Sequence, residues 1–127
     1  MIRLAVIFSV LLLSGCGGPS SYQVSGTVTF DGKTVPAGEV VFTPDSSKGN
    51  RGPAFLAEIV DGKYQSPVGR GHIGGAYTAR VIGFDGKPAE AKGLVDARGA
   101  VLFPEYAVTF DLPAATAVQD ISVPPKR

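Results

Sequence analysis

The chain has no tryptophan, one cysteine and one histidine among its 127 residues, and its twelve basic side chains nearly match its eleven acidic ones. Each shortage excludes something. A single cysteine cannot close a disulfide within the chain, so packing alone must hold the fold. A single histidine, His72, leaves no imidazole cluster for a transition metal and no second ring for a proton relay. The near-neutral balance argues against nucleic acid as a partner, and no basic patch to hold anionic lipid heads is expected. The apolar run Leu4 to Leu13, broken only by Ser9, is about half the roughly 20 residues a membrane-spanning helix needs.

That run has a different use. Arg3 precedes it, two small residues follow it, and the only cysteine closes it: Leu13-Ser14-Gly15-Cys16. Basic start, apolar core and small-residue site are the order of a secretory signal peptide. The closing tetrapeptide resembles the lipobox of bacterial lipoproteins. In that family cleavage falls between the positions of Gly15 and Cys16, and the cysteine is lipidated and becomes the new N-terminus. The resemblance implies an exported lipoprotein of the bacterial cell envelope, anchored to a membrane through Cys16. An unlipidated cleaved signal is the rival reading, but an odd cysteine in an exported chain is a reactive thiol unless something occupies it. The chain divides into a signal peptide (1–15), a lipidated cysteine with a small-residue tether (16–21) and one domain (22–124). The tether Gly17 to Ser21 spans about 12 Å as a flexible coil and roughly 17 Å at full extension.

Seventeen glycines and ten prolines, with many Val, Thr, Tyr and Phe, point to short strands and tight turns. Tyr22 to Phe30 alternates with period two, placing Tyr22, Val24, Val28 and Phe30 on one face. Further strands are expected at Glu39 to Thr43, Ala54 to Val60, Lys63 to Val68, Ala76 to Phe84, within Pro104 to Leu112, and at Ala117 to Val123. Ala89 to Gly99 reads as loop or one turn of helix. Asp-Gly-Lys recurs at Asp31, Asp61 and Asp85. Turn chemistry accounts for all three, and none matches a calcium loop. The expectation is an all-β domain, a seven-stranded antiparallel sandwich, with Val24, Val28, Phe30, Phe42, Phe55, Ile59, Val81, Phe110 and Ile121 in its core.

Tyr22 to Phe42 carries V-x-G-x-V, Asp-Gly-Lys, a Val-Pro bridge, a glycine and V-x-F. This is similar to the opening of the transthyretin-like, carboxypeptidase-regulatory-like domain. Gly75-Ala76-Tyr77, and Pro104-Glu105-Tyr106 ahead of Val108-Thr109-Phe110, fit the same family. The resemblance implies a prealbumin-like (Ig-like) sandwich that is usually non-catalytic and often an accessory or interaction module.

For chemistry the chain offers little. No Gly-x-Ser-x-Gly elbow is present, and no cofactor or metal is expected. Arg70 and His72, in the glycine-rich segment Gly69 to Gly75, are the candidate ligand residues, with the plain alternative that His72 is an exposed loop residue. Read that way, glycines at 69, 71, 74 and 75 leave the ring poorly positioned, and His72→Ala is expected to leave folding intact. Glu58 with Asp61 and Glu90 with Asp96 read as solvated surface. Tyr22, Tyr64, Tyr77 and Tyr106 read as sandwich-edge residues with wet hydroxyls, or as an aromatic surface for a sugar or peptide. Three functions stay open. The first is a non-catalytic lipoprotein with an envelope-protein partner, and the second a small-ligand or carbohydrate binder using Asp45 to Gly52 with Gly69 to Gly75. The third is a hydrolase centred on His72, set well behind the others. The isourate hydrolases related to transthyretin use several histidines and a Tyr-Arg-Gly-Ser terminus, where this chain ends Pro-Pro-Lys-Arg.

Overall fold

The computed structural model describes residues 21–91 and 93–125; the expected leader, its cleavage site at Gly15 and Cys16, and most of the tether lie outside them. The domain is all-β. In chain order the strands are β1 (Val24–Phe30), β2 (Lys33–Thr34), β3 (Ala37–Pro44), β4 (Phe55–Val60), β5 (Lys63–Gln65), β6 (Gly75–Phe84), β7 (Ala89–Ala91), β8 (Leu94–Asp96), β9 (Tyr106–Leu112), β10 (Ala117–Val118) and β11 (Ile121–Val123). The main sheet follows the path β10-β1-β5-β4-β3-β6-β9, a curled run of seven strands, with β2 and β11 also paired to β1.

Local chemistry explains the hairpins. At Asp31-Gly32 and Asp61-Gly62 both turn residues have positive φ, 51° and 74° in the first and 51° and 77° in the second. Those are the backbone values that suit the right-handed twist of the flanking strands. Asp85 works differently: its carboxylate accepts from the Lys87 and Ala100 amides at 2.8 and 3.2 Å and folds the following segment back.

All seven expected strands are present, with three corrections. The segment 89–99, read as loop or helical turn, contains the β7–β8 hairpin, with Ala89 opposite Asp96 and Ala91 opposite Leu94. The strand from Lys63 ends at Gln65, because Ser66 turns inward and its Oγ accepts from the Val24 amide at 3.0 Å. The last strand is split into β10 and β11, and both run parallel to β1.

The split has a cause at Gly26. A Cβ on Gly26 would come within 2.2 Å of the Gln119 carbonyl oxygen, so only glycine lets the C-terminal segment bulge against β1 there. The Tyr64 hydroxyl donates to that same carbonyl, and Asp120 accepts from the Thr27 amide at 2.9 Å. The bulge thereby satisfies groups that the interrupted ladder leaves open.

The apolar faces of the curled sheet meet in one cluster. Val24, Val28, Val40, Phe42, Phe55, Ala57, Ile59, Val81 and Ile121 are buried in it, joined by Val35 and Phe103 from the connections. Phe42 is the hub: its ring stacks on its cross-strand partner Phe55 at 5.0 Å and contacts Tyr64 and Tyr77 at 5.7 and 6.5 Å. Phe30 and Phe110, expected in the core, are only half-buried and pack against it from the side. Tyr64 and Tyr77 depart the other way. Both are buried, with hydroxyls bonded to backbone, Tyr64 to the Gln119 carbonyl and Tyr77 accepting from the Ile73 amide at 2.9 Å. Burial pushes the Tyr64 hydroxyl pKa well above its ordinary value, and Asp120 adds to the effect.

Truncating the hub should therefore cost most. Phe42→Ala is expected to lose about 3–5 kcal/mol, a large share of the roughly 5–15 kcal/mol of a small domain. The half-buried Phe30→Ala should lose clearly less. Urea unfolding followed by circular dichroism measures both, and equal losses would contradict the central place of Phe42.

Candidate functional site

Register places seven strand ends at one end of the domain: the starts of β1, β4, β6 and β10 and the ends of β3, β5 and β9. The connections gathered there are 45–54, 66–74 and 113–116, together with the incoming segment 21–23. The two loops read from sequence as a ligand-binding pair thus do meet. Asn50 joins them, its side-chain amide donating to the carbonyls of Gly74 and Ala76 at 3.1 and 2.8 Å. Nothing about an asparagine in a polar loop marked it for this role in the sequence. Asp45 shapes its own loop by accepting from the Ser47 amide at 3.0 Å, and the Ser47 hydroxyl bond holds its carboxyl below the usual range.

Between the loops lies a groove of about 340 Å³, lined by Ser21, Pro53, Ala54, Phe55, Gly69, Arg70, Gly71 and Ile73. That volume is at the small end of ligand clefts. Its polar equipment is slight: exposed Arg70, the Ser21 hydroxyl and loop backbone. No tyrosine is exposed beside it. A larger trough of about 550 Å³ runs along β1, β5 and β4, but Glu58, Lys63 and Asp120 line it with mixed charge and converge on no point.

His72 overturns the expectation of an exposed loop residue. It is 0 % exposed. Its backbone forms a two-way bridge with Tyr22, at 2.7 and 2.9 Å. Gly71 permits this approach, since a Cβ there would sit 1.7 Å from the Tyr22 carbonyl oxygen. The glycines that were expected to leave the ring loose are what let it be enclosed. Nδ1 accepts from the Gly74 amide at 3.0 Å, which puts the proton of the neutral ring on Nε2. Tyr22 and Tyr77 pack against the ring at 5.6 and 6.2 Å. Nε2 is buried and makes no full hydrogen bond. The carbonyls of Ala115 and Gln23 favour its protonation, but burial is the larger influence and holds the pKa below the ordinary imidazole value. Arg70 and His72, paired in the sequence reading, are therefore separated: Arg70 lines the groove and His72 is core.

The remaining candidates also divide. Glu58 lies on the outer face of β4 and Asp61 in the β4–β5 turn, both exposed. Glu90 stands opposite Val95, and Asp96 opposite Ala89, so the register does not pair these two residues. Tyr22 and Tyr106 are half-buried. Among the described residues no three His, Cys, Asp or Glu side chains gather in a way that could hold a metal ion. Comparison with protein-family models, with curated proteins and with solved structures finds no match.

The buried ring sets a pH dependence. The unfolded chain takes up its imidazole proton near pH 6.5, whereas the folded domain does so only at lower pH. Below about 6.5 the unfolded state holds more protons, so stability is full above that pH and falls as pH drops through it, until the folded ring also titrates. Urea midpoints should be lower at pH 5.5 than at 7.5, and His72→Gln should flatten the difference. The expectation that His72→Ala leaves folding intact is reversed: emptying this site should cost roughly 2–5 kcal/mol.

Proposed function

We propose that the chain is an exported, membrane-anchored lipoprotein of the bacterial cell envelope, whose β-domain is a non-catalytic structural or protein-interaction module. The observation that carries this reading is the run Leu4 to Leu13 closing on Leu13-Ser14-Gly15-Cys16, six positions ahead of the first β-bridge at Tyr22. Nothing but Gly17-Gly18-Pro19-Ser20-Ser21 separates the acylated cysteine from the folded domain. On this reading the curled sheet is a two-layer sandwich of the prealbumin-like type, β1, β10 and β11 closing against β6 and β9 over the Phe42 core. The enclosure of His72 supports a structural role for the one imidazole, since substrate cannot reach a ring with no exposed surface.

A second reading, a small-ligand or carbohydrate binder, draws on the groove beside Arg70, where Asn50 holds the two predicted loops together. The absence of an exposed aromatic beside that groove weighs against a sugar-stacking version of it.

Cell fractionation and intact mass test the anchor. The wild-type chain should appear in the membrane fraction with residues 1–15 removed and acyl mass on Cys16, and it should resist high-salt extraction, as anchors of two or more chains do. Cys16→Ala should leave the protein unprocessed or release it. A membrane form that keeps residues 1–15 and carries no acyl mass would overturn the proposal.

A further inference from the structure

Composition offers no basic patch, yet the fold assembles one. At the end of the domain where the chain enters, the connections 45–54 and 66–74 carry Lys48, Arg51 and Arg70, with Asp45 as the only carboxylate in those loops and in 113–116. All three cations are exposed, and the Arg80–Glu105 salt bridge lies elsewhere. The opposite end mixes its charges: Asp31, Asp61 and Asp85 each stand two positions from a lysine, and Arg98 lies over Phe84 beside them.

The same end presents apolar surface. Pro67 to Arg70 form a turn closed by an Arg70 amide to Pro67 carbonyl bond at 3.0 Å, with Gly69 at φ 77°. Val68 stands at its corner and is 89 % exposed, more than any other large apolar residue described. Pro53, Ala54, Pro113 and Ala114 are exposed in the loops at the same end. An exposed valine alone signifies little; one sharing an end of the domain with three cations and small apolar residues has the chemistry of a membrane interface.

Chain length then decides which face meets the bilayer. A domain of this size is roughly 30 Å across, whereas the tether from Cys16 reaches roughly 17 Å at most. Ser21, where the tether ends, lines the same groove as Arg70. The far end therefore cannot be the face turned toward the headgroups while Cys16 is held in the membrane.

We propose that this end is a membrane-docking face, seating on anionic phospholipid headgroups through Lys48, Arg51 and Arg70 with Val68 at the acyl boundary. The inference rests on the reading that Cys16 is acylated. Each basic side chain near an anionic surface contributes about fivefold in partition, so three, offset by Asp45, give roughly 25-fold. That is too weak to recruit a free protein but enough to orient one already tethered, because the anchor holds the loops at high local concentration. The groove would then open toward the headgroups and away from bulk solvent.

The lack of tryptophan makes the test direct. The full chain carrying Val68→Trp is isolated from membranes, its intact mass is recorded, and it is reconstituted into vesicles of phosphatidylcholine with or without phosphatidylglycerol. With the anionic lipid, the indole introduced at position 68 should shift to the blue and be quenched by brominated acyl chains. An indole introduced by Lys87→Trp at the opposite end should stay in water. Adding Lys48→Glu, Arg51→Glu and Arg70→Glu, or high salt, should abolish the lipid dependence. If the mass shows no acyl group, the anchoring proposal fails, and the same protein is coupled through its free Cys16 thiol to a maleimide lipid so that docking is still measured. Emission at position 68 that is the same in both vesicle types, or quenching equal at the two ends, would overturn the docking face.

Discussion

The packing of the Gln119–Asp120 bulge against β1 at Gly26 is the constraint on which the rest of the structure depends. β1 is paired on one side by β5 and β2 and on the other by β10 and β11, so it joins the two flanks of the curl. A side chain at position 26 would hold Gln119 away, and Ala117, Ile121 and Val123 could not all close over the same apolar cluster. Tyr64 completes the arrangement from β5 by reaching through to the Gln119 carbonyl. One missing Cβ and one buried hydroxyl thus set where the last strand lies. In a domain without disulfides, that closure must be made by packing and backbone hydrogen bonds alone.

At the end where the chain enters, the same economy of space governs the loops. Gly71 lets Tyr22 and His72 bridge through their backbones, and the ring then fills the space between Tyr22 and Tyr77. Asn50 ties the neighbouring loop to the start of β6. A glycine-rich stretch that looks slack in sequence is pinned at both of its neighbours. The stiffened loops carry Lys48, Arg51, Arg70 and Val68 outward, which is why a surface property of this end follows from contacts buried beneath it.

The alternation of Tyr22 to Phe30, the Asp-Gly turns and the Phe55-Ala57-Ile59 face were enough to establish an all-β domain and most of its strand positions, because period two and positive-φ turn chemistry act over a few residues. The Leu13-Ser14-Gly15-Cys16 pattern was equally local. Other features depended on partners far along the chain. Lys63 to Gln65 ended early because Ser66 bonds Val24, Phe30 and Phe110 fell to the rim of the core, and β10 and β11 turned out parallel to β1. His72 moved from expected loop surface to core because its enclosure comes from Tyr22 and Tyr77, which no spacing around it reveals. The gathering of three cations at one end belongs to the same kind. Net charge is a property of the chain, whereas the place where charges collect is decided when the strand ends are brought together.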